Sequence, residues 1–290
     1  MGCNLCPRKC NADRSKASGF CKMGNDIKAA RAGLHYWEEP CISGTKGSGT
    51  MFFSGCVMRC EYCQNHDISW GGFGRDISVQ RLAEIFLELQ AQGAHNINLV
   101  NPTHFVPWII EALDIAKAEL EIPVVYNTGG YERVETLKML SGYIDIYLPD
   151  VKYFADDEAA RLSHAPHYFE TAMAAIEEML RQTGKPVFDG ELLKKGTIVR
   201  HMVLPYLYKD SVEVIRRVGD RFGGEILFSL MSQYTPFHNA KDDPKLNRRI
   251  TTFEYRKALA AVMDAGLQGY MQEKSSAKEE FTPLFDLSGI

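Results

Sequence analysis

No stretch of the sequence supplies the ~20 consecutive apolar residues a membrane-spanning helix needs, and no long run of Lys and Arg occurs. The first absence excludes a helical membrane span. The second, with a net charge of −4, gives no reason to expect nucleic acid as a partner. The chain begins Met-Gly-Cys-Asn-Leu-Cys-Pro, without the charged start and apolar stretch of a secretory signal, so a cytoplasmic location is expected. Internal repeats and low-complexity stretches are also missing. The glycine-rich segment 44–49 lacks the Walker spacing and precedes a strand rather than a helix, which argues against a phosphate-binding loop and for a flexible approach to that strand. No cysteine lies beyond position 63.

The eight cysteines are therefore crowded into the first quarter of the chain: 3, 6, 10, 21, 41, 56, 60 and 63. At 290 residues and 45% hydrophobic composition, the chain can bury a core without disulfides. Clustered cysteines in a reducing compartment are more often metal ligands. They fall into a group of four, a single residue and a group of three. Cys41, the single one, reads as a buried or idle thiol.

Residues 1–48 show no clear periodicity and read as an irregular, Cys-rich module held by a metal. Residues 49–290 then alternate between two patterns. Short apolar runs at 50–54, 96–100, 123–126, 144–148, 197–204 and 225–231 predict strands. Helical spacing covers 79–92, 106–120, 134–140, 157–183 with a break near Pro166, 211–222 and 253–265. The last 25 or so residues read as an irregular tail. About six βα units with strands apolar on both faces predict an α/β fold around a parallel sheet, and a partial barrel and an open doubly wound sheet both fit. In either, chemistry belongs at the C-terminal ends of the strands. Polar groups follow the strands there: Ser54-Gly55-Cys56, Asn101-Pro102-Thr103-His104, Asn127-Thr128-Gly129, Asp150-Val151-Lys152 and Ser232-Gln233-Tyr234. Arg200 and His201 lie in the fifth strand, where alternation turns one of them inward.

The strongest local signal is Ser-Gly-Cys56-Val-Met-Arg-Cys60-Glu-Tyr62-Cys63. Four thiolates close a [4Fe–4S] cubane, whereas three leave one iron free for a small molecule. A buried helical face of cysteines, or zinc with His66 as a fourth ligand, would share the spacing. The loop position and the charged neighbours Arg59 and Glu61 favour the open cluster. Upstream, Cys3, Cys6, Cys10 and Cys21 form C-x-x-C-x-x-x-C followed by a fourth Cys, a set that suits structural zinc or an auxiliary iron–sulfur cluster.

The C-x-x-x-C-x-x-C motif resembles that of the radical S-adenosylmethionine superfamily, with aromatic Tyr62 before the last cysteine. The wider block GSGTMFFSGCVMRCEYCQN, with CNLCPRKC upstream, is similar to relatives of the pyruvate formate-lyase activating enzyme. The resemblance implies a partial (β/α)6 TIM-like barrel and an enzyme that cleaves S-adenosylmethionine reductively to a 5′-deoxyadenosyl radical. That radical would take hydrogen from a substrate, a glycyl radical protein, a small molecule or a peptide, with a flavodoxin- or ferredoxin-type reductant as partner. A non-catalytic iron–sulfur or zinc electron-transfer protein is the alternative class. The resemblance also implies cofactor contacts at the strand ends, on Tyr62, Asn101, Thr103, His104, Asn127, Thr128, Asp150, Lys152 and His201. The family's Gly-Gly-Glu after the second strand is replaced here by Asn101-Pro102-Thr103-His104, while Asp150-Val151-Lys152 matches an Asp-x-Lys pattern of the activating enzymes.

Overall fold

Strands whose residues are buried on both faces form the centre of the molecule. The structure is a computed structural model that describes residues 2–16, 18–272 and 283–290. In chain order it contains β1 (Ile27–His35), α1 (Pro40–Ser43), β2 (Ser48–Phe53), α2 (His66–Ser69), β3 (Arg75–Ile77), α3 (Val79–Ala91), β4 (Ile97–Val100), α4 (Val106–Ala116), β5 (Val124–Thr128) and α5 (Val134–Met139). These are followed by β6 (Ile146–Pro149), α6 (Asp156–Ser163), α7 (Tyr168–Thr183), β7 (Val187–Asp189), β8 (Leu192–Met202), α8 (Tyr208–Phe222), β9 (Leu227–Met231), α9 (Thr252–Asp264) and β10 (Gly269–Met271). Every residue of β2, β5 and β6 is buried, as a parallel sheet covered by helices requires.

The parallel strands lie in the order β2-β4-β5-β6-β8-β9-β10, each beside its predecessor, and helices follow every one of the first six among the described residues. This is a partial (β/α)6 barrel. The helices seat on the sheet by one apolar face. In α3, Ser78 caps the first turn by accepting from the Arg81 N–H at 3.0 Å, and Leu82, Ile85, Phe86 and Leu89 repeat on the buried side. Thr251 and Glu254 form a capping box at the start of α9.

Several parts of the sheet depart from the sequence reading: β3 was not expected, and β10, within the stretch expected to be an irregular tail, adds to the parallel sheet beside β9. Residues 27–35, expected to be irregular, form β1, which pairs antiparallel with β2 and β3. The irregular N-terminal segment thus ends at residue 26. Beyond β1, residues 36–47 carry Glu38, Glu39 and α1 across to the start of β2. The strand expected at 197–204 begins at Leu192 and is preceded by β7, with which it forms a hairpin. In the tail, the Ala32 N–H donates to the Ser288 carbonyl at 2.9 Å and the Leu287 N–H to Ala30 at 3.1 Å, which ties the C-terminal residues to β1. The rest of that tail, 273–282, lies outside the described residues.

Candidate active site

The three-cysteine loop leaves the C-terminal end of β2 through Gly55. Its φ of +81° belongs to the left-handed region, and a Cβ there would stand 2.5 Å from Met23 Cγ and 2.7 Å from the Cys21 carbonyl oxygen. Only glycine fits this exit without strain. Arg59, at φ +58°, makes the second sharp turn between Cys56 and Cys60, and its guanidinium stacks 4.3 Å over Trp70.

Each sulfur of the loop meets hydrogen-bond donors. The Met58 and Arg59 N–H groups point to Cys56 Sγ at 3.3 and 3.4 Å. The Ser163 hydroxyl donates to Cys60 Sγ at 2.9 Å, and the Ser69 hydroxyl donates to Cys63 Sγ at 3.2 Å. Burial pushes the Cys60 thiol up to about 12 and the Cys63 thiol up to about 11, so ionisation at these sulfurs needs a compensating cation. Three thiols with donors aimed at their sulfurs, and no fourth cysteine in the loop, suit a cubane with one free iron. Among the described residues no three Cys, His, Asp or Glu donors converge on a single-ion position. Thiolates bound to separate irons have no need to. Tyr62 is largely buried in the loop and reaches the cleft beside it, and its hydroxyl shares a 2.6 Å hydrogen bond with Tyr153, which in turn meets Ser163 at 2.7 Å.

A cleft of about 260 Å³ opens beside this loop. Its walls include the three cysteines together with Asn101, Asn127, Thr128, Asp150, Lys152 and Arg200. Arg200 is the inward member of the pair in β8. It donates to Asp150 Oδ1 at 2.9 Å, to Glu38 Oε2 at 3.1 Å and to Asn127 Oδ1 at 2.6 Å. Lys152 donates to Asp150 Oδ2 at 2.5 Å. Burial alone would raise the Asp150 carboxyl, but Lys152 and Arg200 hold it below the usual carboxylate range. Burial alone would lower Lys152, but Asp150 keeps its ammonium charged. Acceptors surround Arg200, whereas Lys152 has one carboxylate partner among the described residues and faces the cleft.

Three residues expected at the cofactor stand elsewhere. A 3₁₀ turn over Thr103–Phe105 follows β4 directly and folds these side chains into the core. Thr103 donates to Glu132 Oε1 at 2.6 Å. His104 Nε2 meets the Ser54 carbonyl at 2.7 Å, and burial lowers its imidazole to about 4. His201 points away from Arg200, with Nδ1 2.6 Å from the Val151 carbonyl, and burial lowers it to about 4 as well. None of the three lines the cleft. Asn101 does, at φ +58°, a conformation Asn tolerates better than most residues.

Glu38, Ser163, Tyr153 and Glu132 escaped the sequence reading. Glu38 lies in the stretch read as irregular. Glu132 follows the Asn-Thr-Gly turn, where a lone Glu reads as a solvated charge, yet it is 1% exposed and Thr103, Tyr126 and Thr128 all donate to it. Cys41 is buried on α1, as a structural thiol would be.

Residues 50–222 match the family model of the radical SAM superfamily. The chain belongs to the radical SAM superfamily. Its cofactors are those of the family, a [4Fe–4S] cluster and S-adenosylmethionine. An uncharacterized protein of Methanocaldococcus jannaschii is 30% identical over 266 residues, 89% of this chain and 73% of that protein. The pyruvate formate-lyase-activating enzyme of Clostridium pasteurianum is 25% identical over 180 residues, 59% of this chain and 67% of that enzyme. Two solved structures share the fold. HydG, a maturase of the [FeFe]-hydrogenase, superposes with a TM-score of 0.51 at 12% identity, covering 80% of this chain and 54% of that one. Streptococcus suis SuiB bound to S-adenosylmethionine does so with 0.50 at 14% identity, covering 75% and 48%. The chain spans about half the length of these two. The three-cysteine loop and the cleft beside it sit where the barrel's strand ends converge.

Proposed function

We propose that Cys56, Cys60 and Cys63 hold the [4Fe–4S] cluster with one iron open, and that S-adenosylmethionine lies in the adjoining cleft. The observation that carries this is the loop itself: three thiols on the rim of β2, each met by N–H or O–H donors, with the charged cleft at their side. The cluster, when bound, supplies the electron that cleaves S-adenosylmethionine to methionine and a 5′-deoxyadenosyl radical.

The chain's own residues bind and orient. Lys152 pairs with the methionine carboxylate. Asp150, fixed in its ionised form by Lys152 and Arg200, accepts from the ribose hydroxyls. Asn101, Asn127 and Thr128 offer amide and hydroxyl contacts from neighbouring strand ends. Arg200 and Glu38 hold Asp150 and Asn127 in place. The barrel walls keep water from the radical.

The finer reading concerns the substrate. The activating enzyme from Clostridium pasteurianum supports a glycyl radical protein as hydrogen donor, with this chain as its activase. A low-potential reductant of the flavodoxin or ferredoxin class would supply the electron.

The test is anaerobic reconstitution followed by reduction in the presence of S-adenosylmethionine. The wild-type chain should release 5′-deoxyadenosine, and Cys60→Ala should lose both this cluster and the cleavage. A fully loaded protein that forms no 5′-deoxyadenosine overturns the reading. Full cleavage by Cys60→Ala overturns the ligand assignment. For the substrate, incubation with a glycyl radical protein should give a glycyl radical signal; cleavage without any such signal overturns the activase role.

A further inference from the structure

The radical chemistry leaves Cys3, Cys6, Cys10 and Cys21 without a task. Turns bring them together. The Cys3 N–H donates to the Ala12 carbonyl at 2.9 Å and the Asn11 N–H returns to Cys3 at 3.0 Å, which closes the segment into a loop. Lys9 N–H donates to the Cys6 carbonyl at 3.1 Å, and Lys22 N–H to Gly19 at 2.9 Å. Cys10 Sγ lies over Gly19, 2.7 Å from where a Cβ would stand, so glycine there lets Cys10 approach the Cys21 turn. Cys6 and Cys21 are buried, and the fields of the neighbouring cysteines reach both.

A second observation points to an anionic occupant. Arg8 and Arg14 each bury a guanidinium nitrogen, Nη2, that has no partner among the described residues. Arg14 is 9% exposed and lies within electrostatic reach of Cys21. Arg8 feels both Cys6 and Cys56. Arg8 stacks 3.7 Å over Phe20 and Arg14 4.8 Å over Trp108, so aromatic faces hold both guanidiniums while these two N–H groups keep unused bonding capacity, which is rare for buried donors and which cluster sulfurs can fill.

The same segment touches the radical site. Arg8 Nε donates to the Val57 carbonyl, inside the three-cysteine loop, at 2.8 Å. The Cys21 carbonyl packs against Gly55, the residue before Cys56.

We propose that Cys3, Cys6, Cys10 and Cys21 hold a second, closed [4Fe–4S] cluster that passes single electrons to the cluster on Cys56, Cys60 and Cys63 across the Arg8 and Cys21–Gly55 contacts. This rests on the assignment of the first cluster made above. A low-potential one-electron donor takes the N-terminal cluster from the 2+ to the 1+ state. The electron then moves to the open cluster, which goes from 2+ to 1+ while the first returns to 2+. No bond breaks and no proton moves.

The test uses the full-length reconstituted protein, its iron, sulfide and zinc content, and electron paramagnetic resonance after dithionite reduction. Wild type should hold about eight iron and about eight sulfide per chain, without zinc. Cys10→Ser, at an exposed position, and Cys21→Ala should each lose half the iron, and Cys60→Ala the other half. Fully reduced wild type should show a spectrum broadened by coupling between two nearby spins, which every one of these variants lacks. Zinc in place of iron, or iron content that Cys10→Ser and Cys21→Ala leave intact, overturns the second cluster. Two full clusters without spin coupling overturn the electron path. Iron that Cys21→Ala abolishes and Cys60→Ala spares shows that the first assignment failed, and overturns the path with it.

Discussion

Two buried carboxyls at the rim behave in opposite ways. Among the described residues, Glu132 has no cation beside it. Burial is the dominant influence and raises it from 4.5 to about 7, against the hydroxyls of Thr103, Thr128 and Tyr126. Below pH 4.5 it is protonated in both folded and unfolded chains; between 4.5 and 7 only the folded chain keeps the proton. Its contribution is therefore full below 4.5 and is lost as pH rises through about 7, a fall of about 3 kcal/mol. Urea unfolding across this window should show that slope in wild type and lose it in Glu132→Gln. Asp150 is instead held ionised by Lys152 and Arg200. Asp150→Asn leaves the Lys152 ammonium without its carboxylate, while Arg200 keeps Glu38, at a cost of about 3–5 kcal/mol for a broken buried pair. It should lower the thermal midpoint and weaken S-adenosylmethionine binding, both readable by calorimetry. The cysteines and Asp150-Val151-Lys152 were legible in the sequence because their chemistry is carried by short spacing. Glu38 was not, since it meets Arg200 across 162 positions of chain. The inward turn of Thr103 and His104 was not either, because partners distant in sequence, Glu132 and the Ser54 carbonyl, decide it.

The three-cysteine loop depends on the way it leaves its strand. Gly55→Ala would force a Cβ into Met23 and the Cys21 carbonyl at a positive φ. The backbone strain is about 1–3 kcal/mol, and the larger effect should be a displaced loop. Reconstitution should then load less iron on Cys56, Cys60 and Cys63, seen as a smaller cluster absorbance per chain. The helices and parallel strands were legible because their periods are long and their buried faces continuous. Boundaries moved by a few residues where ends fray or caps differ. After Ile27, β1 reads Lys-Ala-Ala-Arg-Ala-Gly-Leu-His, mostly poor strand formers, and pairing with β2 overrides that preference. The hairpin of β7 and β8 did leave a signal. Asp189-Gly190 stands between two apolar pairs, a combination that favours a tight turn.

At the scale of the molecule, alternation of strands and helices gave the class but left two architectures open. They differ in strand order. An open doubly wound sheet reverses direction at a switch point, whereas here each parallel strand adds beside its predecessor from β2 to β10. The strand ends consequently curve around one cleft, and the three-cysteine loop, Asn127, Asp150 and Arg200 meet there from β2, β5, the end of β6 and β8. Among the described residues, no helix is long and apolar enough to cross a membrane. The central claim is that the cluster on Cys56, Cys60 and Cys63 has an open iron that S-adenosylmethionine occupies. Electron–nuclear double resonance on the reduced protein, with 15N in the methionine amine of the cofactor, tests it most directly. A strong 15N coupling to the cluster spin, absent in Cys60→Ala, is the predicted result; a fully loaded, reduced cluster whose spectrum does not change when the labelled cofactor is added would contradict it.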